Sequence, residues 1–227
     1  MSIGLFGGTF NPIHLGHIAV IAYVKSAFNL DTIYIVPSAI PPHKTSESLA
    51  CANDRFEMVK QAVAPFSGLI PSDVELKREG KSFSIDTIKH FKGVVNDTTQ
   101  LYFIMGSDAF FDIQTWKNSV DIFRLTHIIV MHRAGDCRSL KDVESFLKTE
   151  VSSNYEISES DSCVKYKNVK LDGSIKKQDF KSVYICEVPK INISSTLIRE
   201  KIKRHESIKE LVPEVVAAIL YKKKLYL

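Results

Sequence analysis

The sequence predicts an α/β protein built on a doubly wound parallel sheet. Three observations carry this: short apolar or β-branched runs recur along the chain, segments of helical periodicity separate them, and glycines follow the first and fourth of the strand-like runs. Strands that alternate with helices pair in parallel through right-handed crossovers. With 227 residues, 44% hydrophobic and 25% charged, a single domain over residues 1–227 with its own core is expected.

Each element has its own warrant. Ser2–Phe6 is an apolar run ending at Gly7-Gly8, and Leu15–Phe28 sets Ile18, Ile21, Ala22, Val24, Ala27 and Phe28 at helical spacing. Thr32–Val36 is β-branched and stops at Pro37, and a helix follows over Asp54–Val63. A strand near Asp73–Leu76, a helix over Ile85–Phe91, a strand at Gln100–Met105, helical turns through Asp108–Phe123 and a strand at Thr126–Met131 extend the alternation. Ligands of such sheets bind beyond the carboxyl ends of the strands, where Gly7-Gly8 and Gly106 fall.

From Ala134 to Lys181 Ser, Asp, Glu and Lys dominate, and Ser152–Ser162 is polar and acidic with little periodicity. A polar, exposed insertion at about 136–182 is therefore expected, roughly 30 residues longer than ordinary loops and dispensable for chemistry. A lid, an oligomer contact and a neutral elaboration are all compatible with it. Val183–Val188 then reads as a strand, a helix opens at Ser194 or Ser195, and a last helix starts from Pro213, giving a C-terminal helical part.

Bulk properties exclude some classes. A net charge of +4 suits an enzyme of polyphosphates and falls short of a nucleic-acid binder, and Lys222–Lys224 reads as the basic end of the last helix. The four cysteines form no CxxC pair, so neither a zinc site nor a disulfide framework is expected. No leader is expected at Met1–Gly4 and no apolar run reaches membrane-spanning length, so a cytoplasmic protein without a membrane partner is expected.

Two constellations carry chemistry. Gly7-Gly8-Thr9-Phe10-Asn11-Pro12-Ile13-His14-Leu15-Gly16-His17 joins the first strand to the first helix. Glycines let amides approach a phosphate, a helix N-terminus is electropositive, and His14 and His17 share one face of the first turn. A bare glycine turn with packed histidines, and a histidine pair for zinc lacking a third ligand, are the competing readings. Ile193-Ser194-Ser195-Thr196-Leu197-Ile198-Arg199 opens a later helix, where hydroxyls, free amides and the Arg199 fork suit phosphate oxygens; an N-cap followed by a solvated arginine is the alternative.

Together these motifs resemble the signatures of the HxGH nucleotidylyltransferase superfamily. Class I aminoacyl-tRNA synthetases share HxGH, but Ile-Ser-Ser-Thr-x-x-Arg stands here in place of their lysine-rich KMSKS motif. Pro41-Pro42-His43-Lys44, Arg55 with Met58, Arg78-Glu79-Gly80-Lys81-Ser82-Phe83-Ser84-Ile85-Asp86-Thr87, Gly106-Ser107-Asp108 with Trp116, His132-Arg133-Ala134-Gly135, and the ending from Leu211-Val212-Pro213 to Leu225-Tyr226 resemble the bacterial nicotinate-mononucleotide adenylyltransferases. The resemblance covers residues 1–135 and 183–227, with Phe83-Ser84 where the family more often has Tyr-Thr, and Arg133-Ala134-Gly135 where it has Arg-Pro-Gly.

That resemblance implies a Rossmann-like nucleotidyltransferase fold and adenylyl transfer from ATP to nicotinate mononucleotide, giving deamido-NAD and pyrophosphate. It implies that His14 and His17 contact ATP phosphates, with His17 at the reacting α-phosphate, and that Lys44, Ser195, Thr196 and Arg199 neutralise phosphate charge. Gly8, Thr9, Phe10, Gly106 and Asp108 would meet the nucleotide, Asp108 at the ribose hydroxyls or, alternatively, as a helix cap. Trp116 would stack on the pyridine ring, or else sit in the core, and Ser84 with nearby amides would bind the carboxylate. Mg2+ is expected to arrive mainly on the nucleotide, with no protein metal site. Partners are small molecules, with no nucleic acid and no membrane; a homo-oligomer stays open. Rival readings are an enzyme for nicotinamide mononucleotide or phosphopantetheine, and a non-catalytic nucleotide sensor or RNA-binding module of the same fold.

Overall fold

The computed structural model describes residues 1–42, 49–133, 139–160, 163–168 and 180–227. The elements run β1 (Ser2–Gly8), α1 (Leu15–Ala27), β2 (Thr32–Pro37), α2 (Ala52–Val63), β3 (Leu69–Pro71), α3 (Ser84–Val94), β4 (Gln100–Gly106), α4 (Ser107–Phe111), α5 (Ser119–Leu125), β5 (His127–Arg133), α6 (Leu140–Phe146), β6 (Tyr155–Ser160), β7 (Cys163–Asn168), β8 (Val183–Val188), α7 (Ser195–Lys203) and α8 (Glu214–Lys222). The strands form one sheet in the order β3-β2-β1-β4-β5-β8-β7-β6. From β3 to β8 every pairing is parallel; β7 and β6 add antiparallel.

Two apolar clusters cover the two faces of the sheet, because successive side chains of a strand point to opposite sides. One packs α1, α2, α7 and α8 on Ile33, Ile35, Ile104 and Ile129. The other packs α3, α4, α5 and α6 on Leu5, Val36, Phe103, Ile128 and Ile185. This is the doubly wound arrangement, and strand order reverses direction between β1 and β4, where a crevice opens at the carboxyl ends.

Two expectations need correction. The strand expected near Asp73–Leu76 lies earlier, at Leu69–Pro71, and Lys77 N–H closes a turn onto the Asp73 carbonyl at 3.0 Å. Val74 and Leu76 imitate a strand's alternation, yet Glu75 between them is the buried residue, because the Thr87 hydroxyl donates to its carboxylate at 2.6 Å.

Ser152–Ser162 is not without regular structure. Tyr155–Ser160 and Cys163–Asn168 form a hairpin that continues the main sheet beyond β8. Tyr155 and Tyr166 are fully buried, and the Tyr155 hydroxyl donates to the Lys181 carbonyl at 2.8 Å. Apart from Ile157, Cys163 and Val164, polar residues fill the remaining strand positions, which diluted the strand signal in the composition. Among the described residues no helix is long and apolar enough to cross a membrane.

Tyr155→Ala removes a wholly buried ring, so urea denaturation should show a loss of about 3 kcal/mol, in the usual range for large-to-small core changes. A change near zero would mean that the hairpin adds nothing to the core.

Candidate active site

A cavity of about 490 Å³ opens at the switch point, floored by Phe6–Thr9 from the end of β1 and Phe103–Gly106 from the end of β4. Its far wall holds Phe83, Ser84, Trp116 and Lys117; His17, Met131 and Arg133 close the near side. Of the residues expected in the site, Gly8, Thr9, His17, Ser84, Gly106 and Trp116 line this cavity. Lys44 lies outside the described residues.

The β1–α1 loop is shaped by close approach. A side chain at position 8 would meet the Phe10 ring at 2.9 Å, so only glycine fits there. Phe10 itself takes a left-handed backbone (φ 46) and is 2% exposed, its ring set edge-on to His17 at 5.2 Å. The side chain of Phe10 therefore supports the loop from the core, and Phe10 is not among the residues that line the cavity.

His14 and His17 form a reciprocal cap at the start of α1. His17 N–H donates to His14 Nδ1, and His14 N–H to His17 Nδ1, both at 3.3 Å, while the rings stack at 3.6 Å. Because each Nδ1 accepts, each neutral ring carries its proton on Nε2 and presents a donor there. Gly16 permits this: a Cβ would lie 3.0 Å from His14 Nδ1. Burial, with Arg133 adding to it, pushes the His14 imidazole down to about 4. The amides of α1 are less free than expected, since Leu15 N–H donates to the Leu211 carbonyl at 3.0 Å and His17 N–H is used in the cap.

The second motif is drawn onto the first. Ser194 caps α7 through Leu197 N–H at 3.1 Å, Ser195 Oγ donates to the Pro12 carbonyl at 2.9 Å, and Arg199 Nη1 donates to the Asn11 carbonyl at 2.9 Å. Thr196 Oγ1 accepts from Arg199 Nη2 at 3.2 Å. Arg199 thus has defined partners, and the solvated reading does not hold for it. It also borders a second cavity of about 450 Å³ with Lys203 and Lys224.

At the other end, Trp116 is only half-buried and stands edge-on to Phe103 at 6.3 Å, so it is a wall of the cavity and not a core residue. Phe83, at the N-cap of α3, gives no side-chain cap, and Ser84 begins the helix. Asp108 is exposed in the first turn of α4, whose N-cap is Gly106; Asp108 is therefore not the cap.

Sequence reasoning gave no role to Arg55. It is fully buried and donates to the carbonyls of Ala50 (2.9 Å), Thr9 (2.8 Å), Ser38 (2.6 Å) and Ala39 (3.0 Å). A signal was present: Arg55 falls on the same helical face as Met58, Val59 and Ala62. Lys117, held by Asp86 at 3.0 Å and lying over Phe83, adds positive charge beside Trp116 and was also missed.

Two helix N-termini and a glycine loop meeting at a sheet's switch point suit a polyphosphate, and they define an α/β protein of the nucleotidyltransferase class. The family described as cytidylyltransferase-like matches residues 5–201. The "Probable nicotinate-nucleotide adenylyltransferase" of Clostridium novyi (strain NT) is 34% identical over 223 residues, 98% of each chain. That of Desulfatibacillum aliphaticivorans is 33% identical over 230 residues, 100% of each. The solved nicotinic acid mononucleotide adenylyltransferase of Plasmodium falciparum, complexed with NaAD, shares the fold with a TM-score of 0.71 at 18% identity, over 99% of this chain and 97% of that one. The chain belongs to the cytidylyltransferase-like family and, within it, to the nicotinate-nucleotide adenylyltransferases.

Burial makes His14 a pH liability, and His127 resembles it: desolvation, with Lys181 and Lys165 nearby, also pushes His127 down to about 4. Between 6.5 and 4 the unfolded chain binds protons that the folded one refuses, so stability falls as pH drops through that window, by up to about 3 kcal/mol per imidazole. Melting temperature should decline from pH 6.5 towards pH 4, and His127→Gln should flatten the decline. An unchanged slope in that variant would refute the assignment to His127.

Proposed function

We propose that this chain joins ATP and nicotinate mononucleotide by direct in-line transfer in the switch-point cavity. A phosphate oxygen of the mononucleotide forms a bond to the α-phosphorus of ATP. The bond from that phosphorus to the α,β-bridging oxygen breaks, and its electrons leave with pyrophosphate. The products are deamido-NAD and pyrophosphate. No protein nucleophile is required; positioning and charge neutralisation supply the catalysis.

One observation carries this reading. The β1–α1 loop and the start of α7, which lie far apart in sequence, are bonded together through Ser195–Pro12 and Arg199–Asn11 beside a cavity lined by the Trp116 ring. The triphosphate of ATP would lie along these helix ends. His17, with Nε2–H, would donate to the α-phosphate as charge builds there, and His14 would contribute a second neutral donor. Ser195, Thr196 and Arg199 would hold the β- and γ-phosphates, and Lys44 would add charge from its loop. Gly8, Thr9, Gly106 and Asp108 would face the adenosine.

Trp116 would stack on the pyridine ring. Ser84 and the amides at the start of α3 would bind the carboxylate, a preference for nicotinate that Lys117 reinforces by charge. Among the described residues no group of three or more His, Cys, Asp or Glu could hold a metal ion. We assign Mg2+ to the nucleotide, whose phosphate oxygens are its usual ligands.

The first test is pyrophosphate release with ATP and Mg2+, with nicotinate and nicotinamide mononucleotides offered in parallel. Nicotinate should be preferred, and His17→Ala should lower kcat by about 10²–10³, the usual loss for one donor to developing charge. No release with either acceptor would sink the reading in favour of a sensor or RNA-binding role. Trp116→Ala should raise KM for the mononucleotide by about tenfold, the value of one lost stacking contact, with KM for ATP unaffected. Equal shifts in both KM values would place the ring elsewhere.

A further inference from the structure

Asn11 is a junction that the proposed roles leave unused. It is 7% exposed in the middle of the β1–α1 loop. Its side-chain oxygen accepts from Ala50 N–H at 3.0 Å and from the Tyr226 hydroxyl at 2.5 Å, and its main-chain carbonyl accepts from Arg199 at 2.9 Å. Three distant parts of the chain, the approach to α2, helix α7 and the segment after α8, therefore meet on one residue between Thr9 and His14.

The segment after α8 is bent to reach this point. Lys224 (φ 52) and Tyr226 (φ 67) both take left-handed backbone, which residues other than glycine keep only where surrounding contacts outweigh the cost. Those contacts are present. Lys223 pairs with Asp54 of α2, Leu225 N–H donates to the Leu220 carbonyl at 3.0 Å, and Leu225 and Tyr226 pack on the core beneath α1 and α7. Burial pushes the Tyr226 phenol above its ordinary range, so the hydroxyl keeps its proton and donates throughout the neutral range.

We propose that Tyr226 is a positioning residue for ATP, which through Asn11 sets the spacing between the two phosphate-binding helix ends; this rests on the reading of the site given above. The hydroxyl pins the Asn11 amide. The pinned residue in turn offers Arg199 a fixed carbonyl. Without the hydroxyl, the Asn11 side-chain oxygen keeps the Ala50 N–H but loses its tie to the segment after α8, and the loop that carries the Arg199 acceptor is held less firmly. The Trp116–Ser84 end is built on α3 and the turn after α4, elements of the opposite face of the sheet, so the effect falls on ATP and spares the mononucleotide.

Tyr226→Phe in the full chain removes one oxygen and keeps the ring. Calorimetric titration with ATP alone should show affinity weakened about tenfold, and KM for ATP should rise in step, in keeping with one lost hydrogen bond. KM for the mononucleotide should stay within about twofold of its original value, since distant and independent sites do not couple. ATP affinity equal to that of the unaltered chain, a loss shared by both substrates, or a lowered melting temperature with ATP binding intact would each overturn the proposal. Adding Tyr226→Phe to Asn11→Ala should weaken ATP no further, because the acceptor is already gone; additive losses would count against it. An unaltered chain that binds ATP yet releases no pyrophosphate would remove the proposed reaction, and the ATP titrations would still decide the role of Tyr226.

Discussion

The site depends on a buried positive charge. A guanidinium withdrawn from water costs several kcal/mol unless its donors are satisfied, and Arg55 meets that demand with main-chain carbonyls and, among the described residues, no carboxylate. Those carbonyls belong to the loops leaving β1 and β2 and to the approach to α2. Each is a main-chain acceptor in or beside a loop, and pairing it with the guanidinium lets the charge and the loops stabilise one another. Among the described residues no buried side-chain nitrogen or oxygen lacks a partner. The β1–α1 loop is therefore held from below by Arg55 and from within by the Phe10 ring.

On this rigid floor the C-terminal helices complete the site. Helices α7 and α8 pack on the same face of the sheet as α1 and α2, which sets the start of α7 beside the start of α1. Ser195 and Arg199 then find their acceptors in the backbone of the first motif, and Leu15 N–H finds Leu211. The result is preorganisation: the groups to which the proposed reaction assigns the triphosphate are fixed by contacts within the protein, so less ordering is left for the moment of binding. The reciprocal cap of His14 and His17 follows the same logic. It fixes ring orientation and leaves each Nε2 as the donor, and neutrality spares the buried His14 ring the cost of charge.

Much of this was legible in the residue order. Helical spacing in Leu15–Phe28, the β-branched run Thr32–Val36 and the capping serine before α7 are local signals, and each produced the element it announced. The motif residues His14, His17 and Arg199 were legible for the same reason, since helix starts and glycine turns are written in a few adjacent positions. Asp73–Leu76 failed because alternation says which residues differ and not which face is buried; Glu75 went inward once Thr87 supplied a donor. The hairpin at Tyr155–Asn168 failed because an edge hairpin needs few apolar residues, and here two tyrosines carry the burial.

Outside the segment after β5 and the placing of β3, the sequence by itself determined the alternation of strands and helices, the two glycine and serine motifs and the family they belong to, because periodicity, caps and turns act over a few residues. Only the tertiary structure decided that Ser195 and Arg199 bond to Pro12 and Asn11, that Arg55 lies beneath the loop, that Tyr226 closes on Asn11, and that Trp116 lines a cavity. Those facts depend on which helices share a face of the sheet. That choice is made by burial of apolar surface summed over the whole chain, which no single stretch of sequence contains.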